Sequence, residues 1–387
     1  MEQIVTFLLI LFLVLVIHSY VLYPIIIKII SQKKENGVNN FYNPAVSIVL
    51  SAFNEDKVIR SRIENLAEQN YDFSSLEVLI GSDNSNDRTD EILLELQNKY
   101  SWLRVFLFDK RRGKAAVLND LIENAKNEIL VFTDANTQFD NNALLELVKK
   151  FQTYYLGGIC GRLILQNPNV EKSYSVEEKS YWEYETVIKE AEGKKGILIG
   201  ANGGIYAIRK KLFTKIPTDK AVTDDLYITL SVLSQGYQFS YNPNAVAFEE
   251  VASSIISEYK RKIRFAATNF QTIFYFKNLL FNKNILISFA LWSHKIIRWF
   301  TFIFLLFIFI LNVLVVEDKQ YFRILLYVQC VFYLFAFSGF ALRKTKLKLK
   351  IFTIPFYFLM TNVAMFIGLL KFIFKKHKAY WQSTPRS

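Results

Sequence analysis

Residues 46–55 read Val-Ser-Ile-Val-Leu-Ser-Ala-Phe-Asn-Glu. An apolar, partly β-branched run that ends abruptly on two polar residues predicts a buried strand whose carboxyl end opens onto a ligand or solvent. The pattern then repeats. An amphipathic stretch at 58–69 leads to Leu-Glu-Val-Leu-Ile-Gly-Ser-Asp at 76–83, and a helical pattern at 89–99 leads to Leu-Arg-Val-Phe-Leu-Phe at 103–108. A third helix is expected at 114–125, then Glu-Ile-Leu-Val-Phe-Thr-Asp at 128–134, then a fourth helix at 142–154. Strands alternating with helices in this way predict an α/β fold: a mostly parallel sheet with helices on both faces. Sheets of this kind bind ligands at the carboxyl ends of their strands. The polar residues there are Asn54 and Glu55, Asp83, and Asp134 with Asn136. One acid at a strand exit is explained equally well by capping of the next helix. Three acidic exits in order point to a site.

On either side the composition changes. Residues 4–30 are apolar apart from His18, Ser19 and Lys28, a stretch of about 40 Å as a helix against a hydrocarbon core of ~30 Å. A cleaved leader would need a basic start and small residues at its exit. Here Met-Glu-Gln opens the chain and Ile, Tyr and Pro24 crowd the exit, so an uncleaved anchor is expected. Further apolar runs at 299–316, 321–342 and 351–374 are each long enough to cross. Lys28, Lys33 and Lys34 follow the first run and five basic residues fill 343–350, which places the central region in the cytoplasm by the positive-inside bias. The last run is ambiguous. Alternation sends its end outside, yet Lys371, Lys375, Lys376 and Lys378 prefer the inside, and Pro355 could break a re-entrant hairpin. The expected division is an anchor at 1–40, a cytoplasmic α/β domain at 41–281 ending in an interfacial helix, and a membrane region at 282–387.

The whole-chain figures agree with this division. Of 387 residues 52% are hydrophobic and 21% charged, and a mean hydropathy of +0.18 at that charge content requires apolar stretches segregated from a polar domain. Only 14 Gly and 7 Pro exclude collagen-like and low-complexity chains. The net charge of +12 sits largely beside the apolar runs, which favours anionic lipid headgroups over nucleic acid as its partner. Cys160 and Cys330 have no CxxC or His neighbour, which argues against a zinc site or a disulfide framework.

Seven segments carry a resemblance. They are Ser-Ala-Phe-Asn-Glu at 51–55, Ser-Asp-Asn-Ser-Asn-Asp-Arg-Thr at 82–89, Arg-Arg-Gly-Lys-Ala-Ala-Val-Leu-Asn at 111–119 and Phe-Thr-Asp-Ala-Asn-Thr at 132–137. A glycine-rich Gly-Ala-Asn-Gly-Gly-Ile-Tyr at 200–206, Val-Thr-Asp-Asp-Leu-Tyr at 222–227 and Arg-Lys-Ile-Arg-Phe at 261–265 follow. In this order the chain resembles membrane-bound family 2 glycosyltransferases, among them chitin, hyaluronan, cellulose and poly-N-acetylglucosamine synthases. The resemblance implies a GT-A fold, a nucleotide-sugar donor and an inverting transfer.

It also implies roles. Asp225 matches the family's catalytic aspartate, with Asp224 where Glu or Asp is usual; the alternative for Asp225 is capping of a helix at 226–233. Asp134 and Asn136 match a DxD motif that holds Mg²⁺ or Mn²⁺ against the diphosphate, with a neutral Asn in the third position and an Asx-turn as the alternative. Asp83 matches the aspartate that contacts base or ribose, and Lys114 a lysine near the donor nucleotide; a turn or cap and a solvated lysine are their alternatives. Asp87 caps the helix at 89. Arg261 and Arg264 stand where the synthases carry Q/RxxRW and would grip the diphosphate, on a helix at 258–271 lying along the membrane surface. Phe265 replaces the Trp that stacks on acceptor sugar, which puts processivity in question. Trp182 and Tyr184 offer either an acceptor platform or, preferably, core packing.

The expected function is transfer from a nucleotide-sugar, UDP-linked, to a growing envelope or extracellular polysaccharide at the cell membrane. The alternatives are single transfer to a lipid-linked acceptor and an inactive assembly or secretion subunit. Four spans make a narrow channel for one chain, so secretion would call for homo-oligomers or partner proteins.

Overall fold

The computed structural model describes residues 2–32, 42–166, 174–250, 255–317, 319–343, 345 and 349–376. Lys33, Lys34, Lys346 and Lys378, on which the orientation argument partly rests, lie outside the described residues.

Eight strands form a single sheet in the order β3-β2-β1-β4-β7-β6-β8-β5. They are β1 Val46–Ala52, β2 Leu76–Ser82, β3 Leu103–Leu107, β4 Ile129–Phe132, β5 Thr137–Phe139, β6 Leu156–Gln166, β7 Tyr206–Arg209 and β8 Gln238–Glu250. The first four are parallel: β1 pairs with β2 and β4, and β2 with β3. Beyond them β7 runs antiparallel to both β4 and β6, and β5 antiparallel to β8. The sheet is therefore mixed, and the parallel half is the part that the alternating pattern describes.

Side-chain alternation splits β1 between two cores. Val46, Ile48 and Leu50 face the helices Ile59–Ala67, Thr89–Lys99 and Ala143–Val148, while Val49 faces the helix Lys114–Asn124. The helix expected at 142–154 stops at Val148 and continues as a 3-10 turn over Lys149–Gln152. The second core does not end at the sheet. The same cluster that holds Val49 and Leu79 takes in Tyr23, Ile27, Leu291, Trp299 and Leu369 from the apolar helices.

Three helices are long and apolar enough to cross a membrane: Glu2–Ile30, Gln320–Leu342 and Lys350–Ile373. The stretch expected as a span at 299–316 is different. Its straight part is Thr301–Val315, bent by 62° from Ile285–Trp299, so it counts as a fourth crossing only if the bent pair is one broken span. Fifteen residues rise only about 22 Å, short of the ~30 Å core. Pro355 lies inside one continuous helix, Lys350–Ile373, and breaks no hairpin. The helix carrying Arg261 and Arg264 is longer than expected, Ile255–Tyr275, and packs along Lys350–Ile373. Gly368 makes that packing possible, since a Cβ there would lie 2.9 Å from the carbonyl oxygen of Ile263 and 3.0 Å from the amide nitrogen of Ala267.

Candidate active site

At the exit of β2, Asp83 is almost fully buried and anchors the loop that follows β3. Its two carboxylate oxygens accept the backbone N–H groups of Arg112 at 2.7 Å and Gly113 at 2.8 Å. Gly113 has φ +87°, a conformation that glycine adopts without strain, and it starts the helix whose first residue is Lys114. Two oxygens carry about four lone-pair sites, so Asp83 retains acceptor capacity toward a ligand. Beside it the Arg111 guanidinium lies over the Phe53 ring at 3.5 Å. Asp87 does cap, accepting the Thr89 N–H at 3.0 Å and also the Asp56 N–H at 3.2 Å.

Lys114 is the centre of the cluster. Its ammonium lies 2.8 Å from Asp134 Oδ1 and 2.8 Å from Asp224 Oδ2. Burial alone would lower its pKa, but the two carboxylates outweigh burial and raise it, so Lys114 stays charged. A loop that starts at Gly200, with φ +102°, brings Gly203 against the acids. A Cβ built on Gly203 would lie 3.2 Å from Asp225 Oδ2 and 3.8 Å from Asp134 Oδ2. Only a glycine leaves the space between these two carboxylates open.

Asp224 and Asp225 open the helix Asp224–Ser234, with Thr223 at its N-cap position. Thr223 makes no cap bond of its own and instead turns to the helix Ile255–Tyr275. Its hydroxyl lies 2.7 Å from Thr268 Oγ1 and donates to Asn269 Oδ1 at 2.7 Å, and its N–H donates to Thr272 Oγ1 at 3.0 Å. Asp225 accepts the Leu226 N–H at 2.6 Å, so it also serves the first helical turn. Burial first, and then the neighbouring Asp224, push its carboxyl up to about 6, against the lowering influence of Lys189 and Lys114. A carboxylate tuned upward toward neutral pH suits general base work.

Beneath Asp134 is a buried cation that the sequence did not flag. Arg62 is fully buried, donates to Thr133 Oγ1 at 2.8 Å and lies 4.2 Å over the Phe139 ring, while Thr133 donates to the Gly204 carbonyl at 2.9 Å. Asn136 donates its amide to Glu249 Oε1 at 2.9 Å, which leaves its carbonyl oxygen for another partner.

The two arginines separate. Arg261 pairs with Glu178 at 2.6 Å and with Glu258 through its Nε at 2.9 Å, and Lys262 pairs with Glu258 at 3.0 Å. Arg264, one turn on, has its pKa pushed down to about 10 by burial first and then by Arg261, with the charge of Asp224 opposing both. Thus Lys114, Asp134, Asp224 and Asp225 gather at one point with Arg264 in their field, Asp83 holds the adjoining loop, and the guanidinium of Arg261 is engaged elsewhere. Tyr184 donates its hydroxyl to the Tyr20 carbonyl at 2.8 Å and Trp182 packs on the core, so both side chains are in packing positions. Sequence reading also missed Lys189, which donates to Asn202 Oδ1 at 2.5 Å inside the glycine-rich loop.

Residues 47–216 match the family described as Glycosyl transferase family 2. The probable glycosyltransferase YdaM of Bacillus subtilis (strain 168) is 26% identical over 251 residues, covering 58% of this chain and 55% of that protein. The poly-β-1,6-N-acetyl-D-glucosamine synthase of Staphylococcus epidermidis is 26% identical over 230 residues, 57% of this chain and 53% of that one. The chain thus spans about half the length of these relatives. In fold it is similar to the mannosyltransferase PcManGT from Pyrobaculum calidifontis, solved in complex with GDP-Man and Mn²⁺. The TM-score is 0.75 at 19% identity, covering 96% of this chain and 100% of that one.

Proposed function

We propose that the chain, whose residues 47–216 match the family 2 glycosyltransferases and whose fold is similar to that of a GT-A mannosyltransferase, is an inverting, membrane-bound glycosyltransferase extending a polysaccharide from a UDP-linked sugar. The observation that carries the reading is the junction of Lys114, Asp134 and Asp224, with Asp225 across the open face of Gly203. Similarity to poly-β-1,6-N-acetyl-D-glucosamine synthases supports a polysaccharide as the acceptor.

The donor's diphosphate approaches the strand exits. Asp83 keeps the loop bearing Arg112 and Gly113 in place beneath the nucleoside, and Arg264 offers the diphosphate a planar pair of donors. Among the described residues no group of three His, Cys, Asp or Glu side chains could hold a metal ion alone. Asp134 and the free carbonyl oxygen of Asn136 are nonetheless hard oxygen donors of the kind that bind Mg²⁺ or Mn²⁺ jointly with substrate phosphates. They fit such an ion, which when bound would offset charge developing on the leaving diphosphate.

Asp225 takes the proton of an acceptor hydroxyl as that oxygen bonds to the anomeric carbon, on the face opposite the breaking bond to the diphosphate. Gly203 gives the hydroxyl its room. Lys114 keeps Asp134 and Asp224 from repelling one another before the donor arrives. The site lies on the cytoplasmic side, where nucleotide-sugars are made, and the apolar helices cross the cell membrane.

The test is a panel of nucleotide-sugars offered to detergent-purified protein with Mg²⁺ or Mn²⁺, reading nucleoside diphosphate released and the size of any glycan. Release from a UDP-sugar with a lengthening glycan supports the proposal. A single sugar on a lipid carrier would replace the polysaccharide acceptor, and no release from any donor would leave an assembly subunit as the function.

A further inference from the structure

A buried charge cluster lies outside the active site, where the first apolar helix, the helix Tyr174–Lys194 and the segment Leu291–Trp299 meet. His294 is fully buried, with Nδ1 2.6 Å from Glu192 Oε1 and Nε2 3.0 Å from Glu185 Oε2. Each ring nitrogen faces a carboxylate, so the imidazole is held from both sides. Arg298 donates to the other oxygen of Glu185, and to the Tyr184 hydroxyl at 2.9 Å. Tyr23 of the first apolar helix donates to Glu192 at 2.6 Å. Two π-helical turns touch here: His18 Nε2 lies 2.8 Å from Ser293 Oγ, and Ser19 donates to the Ser293 carbonyl at 3.0 Å.

Buried ion pairs of this kind contribute little net stability compared with apolar packing, so their retention asks for another reason. The second oxygen of Glu192 supplies one. It accepts the backbone N–H of Ile199 at 3.1 Å, where the chain enters the Gly200–Gly204 loop that separates Asp225 from Asp134. Lys189, on the same helix, takes Asn202 of that loop at 2.5 Å, and Asn202 is further tied to the Gly161 carbonyl at 2.8 Å. Glu185, Lys189 and Glu192 are spaced i, i+4, i+7 and so share one helix face. Two of them fix the helix to the membrane side and two grip the loop, with Glu192 doing both.

We infer that His294 and Arg298 are positioning residues: through Glu185, Glu192 and Lys189 they set the Gly200–Gly204 loop against Asp225, so that the membrane helices hold the acceptor side of the site in register. The inference rests on the proposed transferase reading. It makes acceptor transfer, and not donor binding, depend on the cluster, because the donor contacts lie on the Asp83 and Lys114 side.

The test uses full-length protein in detergent, measuring glycan transfer alongside affinity for UDP in Mn²⁺ buffer. His294→Gln should lower transfer ten- to a hundredfold, the scale of a misplaced acceptor, with UDP affinity within about twofold of wild type. Should that variant fail to insert, Glu192→Gln takes its place, and Lys189→Gln reaches the loop without disturbing the buried cluster and should show the same split. Lys189→Arg should restore part of the transfer. Transfer unchanged, or transfer and UDP affinity falling together, would overturn the inference. Wild-type protein that neither binds UDP nor transfers sugar would instead overturn the transferase reading itself.

Discussion

The ammonium of Lys114 sits 2.8 Å from the carboxylate of Asp134, so the strand-end acid that a diphosphate-bound cation would need already holds a cation of the protein's own. The same ammonium lies 2.8 Å from Asp224, so one lysine keeps two carboxylates together. Asp134 directs one oxygen to Lys114 and the other toward the Gly203 face.

Asp225→Asn keeps size and removes the proposed base. Transfer should slow by at least about a hundredfold with near-native UDP affinity, the usual contribution of a positioned base being 10² to 10⁴. The wild-type rate should fall as pH drops through about 6, where Asp225 gains a proton. The stability effect has the opposite sense. A carboxyl raised from 3.8 to about 6 stabilises the fold below pH 3.8 and loses that contribution as pH rises through 6. At pH 7 Asp225→Asn should therefore be more stable than wild type, by about 2 kcal/mol after allowance for its partial exposure, as a thermal-melt comparison at pH 7 and pH 4 would show.

Asn136→Asp adds a charged oxygen, yet it also replaces an amide that donates to Glu249 at 2.9 Å by a carboxylate facing a carboxylate. The single variant should gain little in metal affinity. Asn136→Asp with Glu249→Gln should reach half-maximal activity at a lower Mn²⁺ concentration than the single variant, and Asp134→Ala should lose divalent-dependent donor binding. Metal titrations of the three variants provide the check.

Arg261 and Arg264 should fail differently. Arg261→Ala leaves Glu178 and Glu258 buried beside each other and should lower stability by about 3 kcal/mol, visible as a lower melting temperature. Arg264→Ala should fold but bind UDP at least about tenfold more weakly, the scale of one charge-assisted contact. Lys262→Ala, which loses its Glu258 partner and its place over the Tyr181 and Tyr357 rings, should leave UDP binding nearly intact.

Gly203→Ala would put a methyl 3.2 Å from Asp225 Oδ2, in the space assigned to the acceptor. Steady-state kinetics should show the acceptor KM raised or transfer slowed by roughly tenfold or more, with the donor KM little changed. Unaltered kinetics would place the acceptor elsewhere.

Much of this architecture was legible because it is periodic. The four parallel strands announce themselves by short apolar runs ending on acids, and Asp83, Asp134, Asp224 and Asp225 could each be found from a motif. The other half of the sheet, where β6 and β8 run parallel and β7 and β5 antiparallel to their neighbours, could not. β7 is four residues long inside a glycine-rich segment, and β8 contains Asn-Pro-Asn, so neither shows a clean period of two. The bend before Thr301 was hidden because the helix Ile285–Trp299 ahead of it carries Ser293, His294, Lys295 and Arg298 and so does not read as part of a span. Arg62, Lys189 and His294 were missed since each is a single charge in an ordinary helical stretch, and only three-dimensional burial makes it conspicuous. The one available signal, Glu185-Lys189-Glu192 on a single face, resembles a solvated helix surface.

One hydrophobic cluster runs from Val49 and Leu79 in the sheet to Tyr23, Leu291, Trp299 and Leu369 in the apolar helices, while Gly368 lets the last helix seat directly on the backbone at Ile263 and Ala267. The compositional boundary near residue 281 is thus no boundary in the packing. A trimmed fragment of residues 41–281, of the sort made to obtain a water-soluble enzyme for assay or crystallisation, would bare that shared core along one whole side. Such a fragment should accumulate as insoluble protein, whereas the intact chain should extract as a discrete species in detergent, so bench work on this protein should begin from the full chain.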